Sequence, residues 1–219
     1  MTDVIKLALA LMAISLVAGL AIGITNHSTR EQIAYQNELI QKQSLQAVFP
    51  EGITIKEKSG EGILPSKYWV GVCDDGEVLN YAFEVSRMGY SGDIKYMVGV
   101  DPEGTITGMT ILEQQETPGL GSRVEEVASS EYIWTFLFSS SEENEPWFTE
   151  QFKGLSALLP ITINNSSGEW HNLDQDKRNE LKENNSVTAI TGSTISTNAV
   201  VSGVEEKVKS YVKALKGTE

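Results

Sequence analysis

The run Leu7–Ile24, LALALMAISLVAGLAIGI, constrains the chain more than any other stretch: it carries no charge, and Ser15 is its only polar side chain. A helix rises about 1.5 Å per residue and satisfies its own backbone hydrogen bonds, so a run of this length just crosses a hydrocarbon core about 30 Å thick. The sequence predicts one membrane-spanning helix, with Lys6 snorkelling to one interface and His27 and Arg30 marking the other. A signal peptide shares the charged-then-apolar order. Its apolar region is normally shorter, however, and no small-x-small cleavage site precedes HSTREQ, so residues 1–27 read as a retained anchor. One Lys before the span and one Arg after it encode orientation only weakly.

Beyond the anchor, a chain of 219 residues has room for one domain of ordinary size, and a hydrophobic content of 40% is enough for a packed core. The formal net charge of −13 argues against binding nucleic acid, whose phosphates such a surface repels, and against lying flat on an anionic membrane. A single cysteine, Cys73, excludes an intrachain disulfide, and with His27 and His171 as the only histidines no Cys/His zinc site can be assembled. Cys73 ends the apolar run YWVGVC and reads as a small core residue. Asp74 and Asp75 follow it, not the cationic neighbour that a reactive thiolate needs.

Residues 28–50 read as a helix capped by Ser28 or Thr29, with Glu31 or Gln32 completing a capping box and Ile33, Leu39, Ile40, Leu45 and Val48 forming an apolar stripe. It is a stalk, or the first helix of the domain at 51–219. From Lys67 the period changes. KYWVGVC, VLNYAFEVSR, IKYMVGVD and TITGMTILEQ are short β-rich runs separated by Asp75-Gly76, Gly89, Gly92 and the turn DPEG at Asp101–Gly104. They predict an antiparallel meander. A helix over Ser122–Phe138 follows, then a solvated acidic loop, SSSEENEP; PWFTEQFKG and LLPITI return to order, and Asp174–Asn185 forms an exposed turn or short helix. An amphipathic helix from about Asn198 to Lys216 turns Val201, Val204, Val208, Tyr211 or Val212, and Leu215 toward the sheet. Strands followed by segregated helices make the fold class α+β: an antiparallel sheet packed with helices, preceded by one transmembrane helix.

Two stretches can carry chemistry. Thr191-Gly192-Ser193-Thr194 lies just before the last helix, with Ser196 or Thr197 as N-cap. A helix N-terminus presents free N–H groups and favours an anion, and Gly192 lets a ligand approach closely. A phosphate fits there, although a capped turn is the plainer physical reading. The second stretch, QQETPGLGSR at Gln114–Arg123, is a tight strand-to-helix connection or a loop shaped to lie against a flat ligand. Neither a Walker A loop nor GxGxxG is present. No Ser/His/Asp triad is readable: His27 falls at the membrane edge and His171 in a polar, solvated loop.

ETPGLG at Glu116–Gly121 and TGST at Thr191–Thr194, taken together, resemble the FMN-binding domain shared by the G subunit of the Rnf electron-transport complex and the C subunit of the Na⁺-translocating NADH:quinone reductase. GYSGDIKYMVGVD at Gly89–Asp101 and WFTEQFKG at Trp147–Gly154 extend the likeness, and the modest length is closer to that of the Rnf protein. The resemblance implies FMN attached covalently, its phosphate esterified to Thr194 by a flavin transferase. Thr191, Gly192 and Ser193 precede the acceptor, and Glu116, Thr117, Gly119, Leu120 and Gly121 border the ring. Here Thr replaces the family's Ser at 191, Ser replaces its Ala at 193, and Thr188 stands where an acid is usual. The resemblance further implies an electron-relay component of a ferredoxin:NAD⁺ oxidoreductase coupled to ion translocation, working beside membrane and iron–sulfur subunits. The domain would lie on the outer face of the cytoplasmic membrane. The alternatives are the role of the quinone reductase's C subunit and a membrane-tethered binding module without flavin.

Overall fold

The computed structural model describes residues 2–73, 75–127 and 146–217. The chain divides into two compact units, Met1–Lys42 and Gln43–Glu219. The first is occupied by helix α1, Thr2–Val48, which continues into the second. Its apolar side chains from Leu7 to Ile24 are exposed, and it is long and apolar enough to cross a membrane. No helix starts at Ser28 or Thr29. The Thr29 hydroxyl instead donates back to the Thr25 carbonyl at 2.9 Å, because a helix already running through this point has no free N–H groups to cap.

The second unit is built on a five-stranded antiparallel sheet in the order β1-β2-β3-β4-β5, each strand beside its chain neighbour: Thr54–Lys58, Tyr68–Val72, Val78–Met88, Asp93–Val100 and Ile106–Glu113. DPEG closes β4 onto β5. The Asp101 carbonyl accepts the Gly104 N–H at 3.0 Å, and Gly104 adopts φ +95°, a conformation open to glycine. The two faces of the sheet follow the period-2 alternation of its strands. Phe83, Val85, Tyr96 and Val98 lie on one face, in a core shared with Val200, Val204, Val208 and Val212 of the C-terminal helices. Trp69, Ala82 and Met97 lie on the other, with Leu45 and Val48 from the end of α1 and Phe49 just after it. Gly99 and Gly108, paired across β4 and β5, let the main chain of that last helical turn rest on the sheet. A Cβ on Gly99 would sit 2.6 Å from the Val48 carbonyl oxygen. The Thr107 hydroxyl donates to the same carbonyl at 3.0 Å.

Helices and short strands complete the domain: α2 at Trp147–Glu150, β6 at Thr162–Asn164, α3 at Gln175–Glu183, β7 at Ser186–Thr188, α4 at Thr194–Gly203 and α5 at Lys209–Lys216. Strands β6 and β7 pair in parallel, and a π-helical turn at Val204–Val208 joins α4 to α5. Several sequence expectations are corrected. The helix expected from Ser122 is a 3₁₀ turn, Gly121–Glu125, that ends in extended chain at Glu126. The part of that expectation from residue 128 onward, and the loop expected at SSSEENEP apart from Pro146, lie outside the described residues. The last helix starts at Thr194, not Asn198, with Ser193 as its N-cap in place of Ser196 or Thr197. Cys73 is half-buried in the β2–β3 turn, its N–H on the Glu77 carbonyl at 2.9 Å, and is not a core residue.

Candidate functional site

The two sequence motifs, some seventy positions apart, face each other across one cleft of about 620 Å³. One wall is the loop after β5, contributing Glu116, Thr117, Leu120 and Gly121; the other is the start of α4, from Gly192 to Ser196, and Tyr90 of the β3–β4 turn closes a third side. Each wall is shaped locally. Gly119 at φ +76° turns the first loop back, with the Leu120 N–H on the Thr117 carbonyl at 3.1 Å. Gly192, also at φ +76°, reverses the second, and the Ser193 N–H reaches the Ile190 carbonyl at 2.9 Å. The Ser193 carbonyl then accepts the Thr197 N–H and hydroxyl, each at 3.1 Å, which starts α4. The N–H groups of the first helical residues have no acceptor one turn back, so the positive end of α4 opens on the cleft.

The neighbouring hydroxyls at 193 and 194 stand in different environments. Ser193 is buried and paired with the Ser196 hydroxyl at 2.8 Å, whereas the Thr194 side chain is exposed at the first position of α4. Leu120 and Ile195 are exposed apolar side chains on the two walls, and Tyr90 is exposed beside them. The cleft therefore joins an anion-favouring end to an apolar rim.

Glu116 ties the walls together. Its buried carboxylate accepts the Ser91 N–H at 2.9 Å and the Gly92 N–H at 3.4 Å through Oε1, and the Ser196 hydroxyl through Oε2. Burial pushes this carboxyl up. Its hydrogen bonds, from Ser196 and from the N–H groups of Ser91, Tyr90 and Gly92, more than offset that and hold it below the ordinary carboxylate value. A second clamp lies behind the cleft. Arg123 grips Glu169 in a two-pronged ion pair at 2.6 and 2.8 Å, and Glu169 also accepts the Thr191 N–H at 3.0 Å.

Of the residues singled out from the sequence, Glu116, Thr117, Leu120, Gly121, Gly192, Ser193 and Thr194 line the cleft. Gly119 and Thr191 do not; Gly119 shapes its loop, and Thr191 is fixed by Glu169. Sequence reasoning passed over Tyr90 and Ile195, the bond from Ser196 to Glu116, and the Arg123–Glu169 pair. Glu169 is one of 30 acidic residues, and nothing local distinguishes it. His171, expected in a solvated loop, is half-buried, its ring 4.9 Å from that of Trp147 and its Nε2 3.9 Å from Glu169.

The Arg123 guanidinium holds Glu169 down to about 2, against burial and helped by the Thr191 N–H. A carboxyl depressed in the folded state stabilises above its unfolded value, near 4.5, and that contribution fades as pH falls toward about 2. Thermal melts are expected to show midpoints declining below about pH 4.5. In Glu169→Gln that part of the decline should flatten; an unchanged slope would remove Glu169 as its source.

Residues 89–209 match the model of the FMN-binding domain. The chain belongs to the FMN-binding domain family. The matched span opens one residue before Tyr90 and runs past α4, so both walls of the cleft lie within it. Among curated family members, the chain is 28% identical to the G subunit of the Na⁺-translocating ferredoxin:NAD⁺ oxidoreductase complex of Acetobacterium woodii, over 95% of this chain and 91% of that one. It is 31% identical to the G subunit of the ion-translocating oxidoreductase complex of Aliivibrio fischeri, over 68% of this chain and 76% of the other. The C subunit of the Na⁺-translocating NADH-quinone reductase of Parabacteroides distasonis shares the fold, with a TM-score of 0.51 at 20% identity, covering 84% of this chain and 96% of that one.

Proposed function

We propose that the cleft holds FMN, its phosphate esterified to the Thr194 hydroxyl, and that the chain relays electrons as the G subunit of an Rnf-type ferredoxin:NAD⁺ oxidoreductase coupled to ion translocation. The observation that carries this reading is the meeting of ETPGLG and TGST at one cleft in a chain of the FMN-binding domain family. The residues present suit the cofactor. About 620 Å³ is within the usual range for a small-molecule site. The open end of α4 and Gly192 receive a phosphate, and Tyr90, Leu120 and Ile195 offer apolar surface to a ring. Flavin supplies the one- and two-electron chemistry; the protein supplies its position and electrostatic surroundings.

The chain's own residues divide the work. Thr194 presents the acceptor oxygen at the surface, where a flavin transferase can reach it, while Ser193 is withdrawn into the hydroxyl chain to Glu116. Arg123 and Glu169 hold the main chain at Thr191. Helix α1 anchors the chain in the cytoplasmic membrane, with the domain on the outer face, where membrane and iron–sulfur subunits of the complex exchange electrons with it. The test is the intact mass of the chain from its native membrane. It is expected to exceed the sequence mass by one esterified FMN, with the N-terminal segment retained; an unmodified chain would sink the reading.

A further inference from the structure

Glu116 is the only carboxylate among the described residues that line the cleft. Its surroundings leave room for it: a Cβ on Gly89 would lie 2.6 Å from its Oε1, and one on Gly121 would meet its Oε2. The donors that hold it are the backbone N–H groups of Tyr90, Ser91 and Gly92 and the hydroxyl of Ser196, all neutral. The charge is thus solvated by fixed dipoles, and among the described residues no cation is paired with it. It faces a space bordered by Tyr90 and Leu120, where water is partly replaced by protein and a charge acts over several ångströms more strongly than in bulk solvent.

We propose that Glu116 is a positioning residue that sets the reduction potential of the bound flavin, its uncancelled negative charge in the cleft wall opposing each electron that the ring accepts. This rests on the reading that FMN occupies the cleft. The same carboxylate joins the β3–β4 turn to α4, so the charge keeps a fixed place relative to both walls. A flavin so placed is a stronger reductant toward the next carrier than it would be beside a neutral residue.

Glu116→Gln separates charge from frame. Its amide oxygen can keep the Ser91 and Gly92 bonds, while its amide nitrogen donates to Ser196. Full-length chains in detergent, loaded with FMN and checked by intact mass, are titrated with dithionite and redox mediators. The equilibrium constant for flavin reduction is expected to rise about tenfold in Glu116→Gln, or ~30 mV for a two-electron couple. Glu116→Asp keeps the charge and is expected to stay within about threefold of the parent. Equal potentials in the parent and Glu116→Gln would overturn the proposal, as would a shift in Glu116→Asp as large as in Glu116→Gln. If Glu116→Gln takes up no FMN, riboflavin is the probe on unloaded chains. The ratio of its Kd values in the reduced and oxidised forms is expected to fall about tenfold from the parent to Glu116→Gln, and an unchanged ratio would overturn the proposal. A parent chain with no added FMN mass would overturn the functional reading itself and this inference with it.

Discussion

Thr194→Val is expected to abolish covalent flavin altogether, whereas Ser193→Ala leaves it in place. Both residues carry hydroxyls and stand side by side in the sequence. The structure distinguishes their surroundings. Ser193 is buried, 2.8 Å from the Ser196 hydroxyl, in a chain that ends on Glu116. Thr194 is exposed at the first position of α4, beside the unpaired N–H groups of that helix end. Valine matches threonine in shape and removes only the oxygen, so the helix start is retained and the bond-forming atom is lost. After expression with a flavin transferase, denaturing electrophoresis under ultraviolet light reads the result directly. The parent and Ser193→Ala bands should fluoresce and the Thr194→Val band should be dark. A fluorescent Thr194→Val band would move the ester to another hydroxyl.

The sheet was legible in the sequence because each strand from β2 to β5 is a short run rich in β-branched and aromatic residues and is bounded by its own turn. Val78–Met88 carries Val78, Tyr81, Phe83 and Val85 in one unbroken run, and DPEG announces the bend after β4 without help from the rest of the fold. Strand β1, TIKEK, was not legible. It is an edge strand with only Ile55 half-buried, so burial gave it no pattern. Strands β6 and β7 are three residues each, shorter than the period needed to recognise them, and they pair across intervening helix α3. The start of α4 was placed late because Thr194–Thr197 is rich in hydroxyls, which favour caps and turns in isolation. Here Ser196 spends its hydroxyl on Glu116, a contact supplied by the tertiary fold, and Thr197 turns its hydroxyl back to the Ser193 carbonyl within the helix. The same holds for the site. Which loops form it could be read from two motifs, but the bonds that set their spacing join residues as far apart as Glu116 and Ser196, and Arg123 and Glu169, and local sequence does not encode such pairs.

Those long-range bonds make Gly121→Ala the most damaging small substitution at the cleft. Gly121 is buried, and a Cβ there would meet Glu116 Oε2, come within 2.6 Å of Ser196 Oγ and lie 2.7 Å from Glu116 Cβ. The methyl group and the Glu116–Ser196 bond cannot occupy the same space, so the loop must shift or the carboxylate must lose a donor while still buried. Leaving a buried acceptor short of a partner costs about 1–3 kcal/mol, and more when the group is charged. In a domain of this size each kcal/mol lowers the melting midpoint by about 2–4 °C, so a fall on the order of 5–10 °C is expected, with flavin incorporation reduced as the walls part. Gly119→Ala, two residues away, is the informative contrast. Gly119 has φ +76° and open space around its Cβ position, so alanine there meets only backbone strain of about 1–2 kcal/mol. Its midpoint should fall by only a few degrees, with flavin content near that of the parent. If the two variants lost flavin equally, the shape of the turn, and not the carboxylate behind it, would be what holds the cleft together.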